Sequence, residues 1–220
     1  RDINYWQDNP TSAPPIWLNF FQKEKASITA NIEAISFETN YIDNQLNYKI
    51  LFEYDYNFDK PPVDLIFHLN IKGNTGLIWK VIRPDKESII LYDGLYNAYG
   101  NLRISAFNDS KNRIFRFYRE SVPKFLARQL DAITTNPMTI LFNTKKNDMA
   151  ENFLSLKGIY KFEITGKFSD SNSEVDNPYM VLVGSMSGLM GTDNMKRDIF
   201  SGLISGLKWA LFIGIATSFI

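Results

Sequence analysis

The chain has 220 residues, 45% hydrophobic and 22% charged, which is enough for one enclosed core with an appendage. Lys plus Arg and Asp plus Glu each number 24, so net charge draws the chain neither to nucleic acid nor to an anionic surface, and nucleic acid is not an expected partner. Cysteine is absent and histidine occurs once, which removes disulfides, thiolate nucleophiles and metal sites built on His and Cys.

Residues 1–17, RDINYWQDNPTSAPPIW, mix Pro, Asn and aromatics without a helical period and read as an extended connector. Tyr5, Trp6 and Trp17 suit either a bilayer interface or packing on the domain. The first residue is Arg1, with no signal segment before it, and the expectation is a chain that begins inside a longer polypeptide.

Residues 18–186 are predicted to form a mainly β, sandwich-like domain with one or two short helices. In QLNYKILFEYDYNFD, Phe52, Tyr54, Tyr56 and Phe58 alternate with Glu53, Asp55, Asn57 and Asp59, the period of a half-buried strand. VDLIFHLNI repeats the pattern, and GLIWKVI follows after KGNTG, so the pair is predicted as a hairpin with a tight turn. Further predicted strands are ASITANIEAISFET, ESIILYD, NLRISAF, NRIFRFY, MTILF, GIYKFEITGKF and YMVLV. SVPKFLARQLDAI is predicted as a short amphipathic helix capped by Ser121 with Pro123 in its first turn, NDMAENFLSL as another turn or two, and SDSNSEVDNP as a surface loop.

Site chemistry is sparse. His68 lies mid-strand on the face opposite Leu65, Phe67 and Leu69, where a lone histidine is expected to be structural or solvent-facing. Asp55, Asn57 and Asp59 start like a calcium loop, but Lys60 and Pro61 stand where such a loop needs a Gly and flexibility; Asp170, Asn172 and Glu174 meet Val175 at the same point. No phosphate-cradling loop, nucleophile elbow or dinucleotide fingerprint occurs, so no cofactor and no catalytic residue are expected, and an enzyme is not.

Residues 187–220 are expected to form a membrane-interface helix and the start of a transmembrane helix, because Leu203 to Ile220 is nearly all apolar, broken only by Lys208 and small residues. A buried terminal helix of a soluble domain remains the alternative. Thr192 or Asp193 is the expected cap, with Met195, Ile199, Leu203, Ile204 and Leu207 on one side and an i,i+4 pair between Asp193 and Arg197. Gly202, Gly206, Ala210, Gly214 and Ser218 recur every fourth residue, a stripe that would let another helix approach closely.

These residues carry a resemblance. Gly191, Thr192, Asp193, Arg197, Asp198, Ser201, Gly206, Lys208 and Gly214 fit the pattern that leads into the second transmembrane helix of permease subunits in the dipeptide, oligopeptide and nickel family of ABC importers. Lys196 departs from it, since the family usually has Gly there, and the upstream APPIW resembles the family's short connector. The likeness covers about the last 30 residues well and the first 17 faintly, leaving a β-rich insertion between.

The resemblance implies a cell-membrane protein with this domain on the extracytoplasmic side. Its implied partners are a second permease subunit, cytoplasmic ATPase subunits and an extracytoplasmic solute-binding protein, which the domain would dock, unless it braces the partner permease. The alternative from a different class is a membrane-anchored β-sandwich that binds a glycan or host ligand.

Overall fold

The computed structural model describes residues 6–43, 45–121, 136–144, 153–169 and 173–218. A 3-10 turn, Ile16–Phe21, is followed by strands β1 (Ala30–Glu33), β2 (Ser36–Ile42), β3 (Gln45–Tyr56), β4 (Asp64–Ile82) and β5 (Ser88–Ser105). Helices α1 (Ala106–Asp109), α2 (Lys111–Ser121) and α3 (Pro137–Leu141) come next, then β6 (Gly158–Phe168), β7 (Glu174–Val183) and the long helix α4 (Ile199–Ser218). The molecule is a β-rich, curled-sheet domain of sandwich type, with a few short helices and a long apolar helix after it.

Strand β4 is the spine. Its odd-numbered side chains Leu65, Phe67, Leu69, Ile71, Leu77, Trp79 and Val81 are all buried in the core. The hairpin expected at KGNTG is therefore not formed: Leu65 to Ile71 and Leu77 to Val81 share one parity, so a strand running straight through keeps both sets on the same face. Gly73, at φ +121°, carries the backbone through this point. The chain reverses later, at Pro84 to Lys86, where Arg83 N–H donates to Glu87 O and Lys86 takes a positive φ of 68°.

One edge of β4 pairs with β5 from Ile66 to Ile82. The other edge is shared, Asp64 to Lys72 pairing with β7 and Thr75 to Ile82 with β6. The seven-stranded sheet thus forks at Gly73, with one prong β7–β1 and the other β6–β3–β2. The outermost strands β1 and β2 are consecutive in the chain, so the prongs meet at Ala34 and Ile35, whose N–H donates to Leu51 O at 2.8 Å. Across the concavity Phe52 of β3 meets Phe67 of β4, ring centroids 6.1 Å apart and nearly perpendicular, and Phe67 meets Trp79 at 6.0 Å.

Three expected strands take other forms. ESIILYD and NLRISAF are the two ends of β5, joined through GLYNAYG, because β4 is long enough to pair with both. NRIFRFY is the helix α2, which buries Ile114 and Tyr118 at i,i+4, and MTILF lies in α3, where Asn136 accepts from Met138 N–H and Pro137 takes the first turn. Short apolar runs fit either period, and tertiary cover decides: α1, α2 and α3 contribute Ala106, Ile114, Tyr118, Met138, Ile140 and Leu141 to the sheet's core. ASITANIEAISFET is broken into β1 and β2. The expected strands QLNYKILFEYDY and GIYKFEITGKF stand as β3 and β6, and YMVLV ends β7, which starts inside the expected loop at Glu174. The expected helix after Ser121 lies outside the described residues, as does most of NDMAENFLSL.

Gly73 is the stringent position of the fork, since a Cβ there would come within 2.5 Å of Ser173 Oγ. Gly73→Ala should lower stability by roughly 1–3 kcal/mol, read as a shifted denaturant midpoint with unchanged slope.

Candidate functional site

Of the residues that carry the resemblance, Gly191 to Ser201 lie at the foot of the domain, where two segments far apart in the chain are knitted together, and Gly206, Lys208 and Gly214 lie in the exposed helix beyond. Thr192 is the knot. Its N–H donates to Ala13 O at 2.9 Å, its Oγ1 donates to Pro10 O at 2.6 Å, and the same oxygen accepts from Ala13 N–H at 2.9 Å. The side chain is buried with its donor and acceptor capacity used, the condition for a hydroxyl to be tolerated there. Ser12 N–H donates to Asp193 O, Ser187 N–H to Pro14 O, Ile16 N–H to Gly188 O, and the Trp17 indole N–H to Leu189 O at 3.0 Å. Gly191 sits at φ +78°, and a Cβ on it would stand 2.3 Å from Ala13 O, so close backbone approach and conformation both require glycine.

Asp193, Arg197, Asp198 and Ser201 each hold the next turn. Asp193 Oδ1 accepts from the N–H groups of Met195 and Arg197 at 2.9 and 2.8 Å, and its Oδ2 accepts from Arg197 Nε at 2.7 Å. Burial pushes the Asp193 carboxyl up, but the bonds from Arg197 and Met195 outweigh it and hold the group below the usual carboxylate range. The expected Asp193–Arg197 pair is present, though in a turn that precedes the helix. Thr192 and Asp193 do not cap α4; Asp198 does, its Oδ2 accepting from Ser201 N–H and Ser201 Oγ at 3.1 and 2.6 Å.

The helix starts late because Lys196 adopts φ 63°, which breaks a helix begun at Asp193. A left-handed conformation costs a non-glycine residue about 1–2 kcal/mol. Two bonds to the connector hold it, Asn9 Nδ2 donating to Lys196 O at 3.0 Å and Lys196 Nζ donating to Gln7 O at 2.8 Å.

Helix α4 then leaves the domain. It is 20 residues long with mean hydropathy 1.7, none of it buried, and among the described residues it is the one helix long and apolar enough to cross a membrane. Leu203, Ile204, Leu207, Trp209, Leu211, Phe212, Ile213 and Ile215 are exposed on all sides. At roughly 1.5–3 kcal/mol per large apolar side chain, this exposure in water would exceed about 10 kcal/mol, comparable with the whole stability of a domain. The helix is thus not buried in this domain, and a length of about 30 Å matches a bilayer core. Gly202, Gly206 and Gly214 have open space beside them, with Ala210 and Ser218 continuing that stripe; Ser218 Oγ and Thr217 Oγ1 donate to carbonyls of the preceding turn, as hydrocarbon demands.

A second seam, which sequence reasoning passed over, fastens the connector to the sheet. His68 faces away from the main core as expected, yet it is fully buried: Nε2 lies 2.8 Å from Asp8 Oδ2, Asn101 Nδ2 lies 3.2 Å from Nδ1, and the ring stacks on Tyr179 at 4.4 Å. Arg103 Nε donates to Asp8 Oδ1 at 2.9 Å. Both ring nitrogens of His68 thus have a polar partner. Burial pushes the Asp8 carboxyl up, but its bonds to His68 and Arg103 bring it below the ordinary value. The signal for this seam is the pair Asp8 and Arg103, which a single strand pattern cannot join to His68. A cavity of about 230 Å³ beside it is lined by Asp8, Asp64, Arg103 and Lys196.

Asp55, Asn57 and Asp59 do not converge on a cation: Asn57 Nδ2 donates to Asp55, and Asp59 pairs with Lys157 at 2.6 Å. Among the described residues no cluster of three or more His, Asp or Glu side chains could hold a metal ion.

No family model matches the chain, and no curated protein matches it. Among solved structures, a mutant of a family 29 carbohydrate-binding module, studied for its mechanism of ligand recognition, is similar at 6% identity and a TM-score of 0.25, over 72% of this chain and 87% of that one. A likeness that weak carries no argument.

Thr192→Val should lose roughly 1–3 kcal/mol of stability, because the Ala13 N–H is left unsatisfied in a buried site. Asp8→Ala should cost a similar roughly 1–3 kcal/mol at pH 7 by orphaning His68. Because the folded Asp8 carboxyl sits below its unfolded value, its contribution is present above about pH 4 and is lost as pH falls through the folded value, so parent and variant should converge in acid denaturation.

Proposed function

We propose that this chain is the extracytoplasmic domain of a permease subunit in an importer of the dipeptide, oligopeptide and nickel class, inserted between two transmembrane helices. In this reading residues 1–17 descend from a preceding helix, residues 18–186 are the domain, and residues 187–220 return to the membrane. The observation that carries it is the knot at Thr192, which fastens residues 10–13 to the foot of α4. A domain so tied has its incoming and outgoing segments side by side, the geometry an insertion between two neighbouring helices requires. Lys196 supports the reading too: it occupies a left-handed position at φ 63°, where the resembling family carries glycine. The coarser statement, a β-rich domain followed by a helix fit to anchor it, stands apart from this assignment.

The domain's task in this reading is to dock the solute-binding protein at the transport entrance, or to brace the partner permease. A glycan- or ligand-binding module held by one helix is the second reading, favoured by the exposed aromatics Phe37 and Tyr41 on β2 and Tyr99 on β5. The gene beyond Ile220 separates the two. The transporter requires further apolar spans and a cytoplasmic loop for the ATPase, whereas the anchored module requires a short basic tail.

Docking is tested in the assembled transporter. In a background freed of any cysteines elsewhere in the transporter, Leu95→Cys and Tyr99→Cys each provide a single cross-linking point on exposed β5. We expect an adduct with the cognate binding protein that requires loaded solute; transport-competent complexes giving no adduct from either site, and no saturable binding, would remove the docking role.

A further inference from the structure

The 3-10 turn Ile16–Phe21, IWLNFF, is inside out. Its one buried residue is Asn19, 8% exposed, whereas Trp17, Phe20 and Phe21 are 54%, 83% and 75% exposed. A turn on a soluble surface presents the opposite arrangement. Asn19 is inward because it staples the following loop: its Nδ2 donates to Ala26 O and its Oδ1 accepts from Ala26 N–H, both at 2.8 Å. That double bond fixes the turn's orientation and holds Phe20 and Phe21 outward, edge to face with centroids 5.3 Å apart.

The outward face is continuous with the foot of α4. Trp17 bonds Leu189 O, Leu189 and Met190 are themselves exposed, and Ile199 N–H donates to Gly191 O, which seats the helix's first turn against that segment. Exposed apolar side chains therefore run from Phe20 and Phe21 through Trp17, Leu189 and Met190 to Ile199 in the first turn of α4. The charged run Lys23, Glu24 and Lys25 follows directly, and Lys25 Nζ donates to Asn19 O at 2.7 Å. Aromatic residues next to lysines, at the point where an apolar helix leaves a folded domain, is the pattern of a headgroup-level contact.

We infer that Trp17, Phe20 and Phe21, with Leu189 and Met190, form a lipid-docking surface that sinks into the outer headgroup–acyl boundary beside α4 and sets the domain's height and tilt on the membrane. The occupant is the bilayer surface, because the patch is tied to the foot of the apolar helix by the Trp17–Leu189 and Ile199–Gly191 bonds. This inference rests on α4 being a membrane anchor, but it is separate from the importer assignment, since either an importer subunit or a singly anchored module would use the same surface.

The test uses the full-length protein in liposomes of phosphatidylethanolamine and phosphatidylglycerol, spin-labelled at single introduced cysteines. Phe20→Cys and Phe21→Cys report the patch, Leu95→Cys the distant sheet, and Phe212→Cys the anchor. Collision with lipid-soluble oxygen relative to a water-soluble nickel chelate should be several-fold higher at the first two sites than at Leu95→Cys, and higher still at Phe212→Cys. Labels at Phe20→Cys and Phe21→Cys as accessible to nickel as Leu95→Cys, with Phe212→Cys protected, would overturn the surface and leave the anchor. Labels shielded from both reagents would signal a protein partner and also overturn it. Nickel access at Phe212→Cys would remove the anchor and this inference together.

Discussion

A single strand that must keep one face dry along its whole length organises this domain. Over the 19 residues of β4, hydrocarbon and aromatic side chains occupy almost every odd position, with Gly73 and Thr75 the exceptions. No single neighbour on the β7 and β6 side spans that distance. β5 runs along one edge and two shorter strands divide the other, so the sheet opens at Gly73 and closes again where β1 passes into β2. The helices after β5 then cover the concave side, because a curled sheet of this width leaves one flank of its core unprotected.

Outside that core, polar chemistry is structural. Lys49 and Glu163, and Lys161 and Glu53, pair across β3 and β6 on the outer face, where such contacts contribute little to stability but keep the surface soluble. Burial pushes the Tyr48 hydroxyl up to about 12 and those of Tyr56 and Tyr160 higher still, so these phenols serve as neutral hydrogen-bonding groups. Tyr48 Oη lies 3.2 Å from Thr75 Oγ1, and Tyr160 donates to Leu156 O. Arg83, fully buried, donates to Ile140 O and Asn143 O and pairs with Asp85, tying α3 and the segment after it to the β4–β5 turn. Polar groups withdrawn from water require such partners, and these find most of them within the scaffold, Arg83 Nε being buried without a hydrogen bond.

The foot differs from the rest because it joins the packed domain to an exposed apolar helix. Thr192 joins the segments, Asp193 shapes a turn, Lys196 interrupts the helix, and Asp198 restarts it, four roles in seven residues. The result is a firm base from which α4 emerges already capped, with its backbone bonds made internally, as a helix fit for hydrocarbon requires. The same base holds the inverted turn at Trp17 to Phe21 alongside it, so the hydrogen-bonded foot, in which Asp198 Oδ1 alone of the residues at 192–198 is buried without a partner, lies next to an exposed apolar turn.

Much of this was legible in the amino-acid sequence. Alternation in β3 and β4 identified their buried faces, since side-chain period is a local property of extended backbone, and the apolar run from Leu203 marked a helix long and apolar enough to span a bilayer, since length and composition need no tertiary partner. The motif from Gly191 to Ser201 was also visible as residue types at fixed spacing. What only the tertiary structure decided was connectivity and partnership. KGNTG has the composition of a turn and runs straight because Trp79 and Leu65 must share a core; NRIFRFY and MTILF have the composition of strands and coil because the sheet's flank needs a helical cover. Asp8 finds His68 across 60 residues and Thr192 finds Ala13 across 179, and such pairings follow from the path of the backbone, which no local pattern encodes.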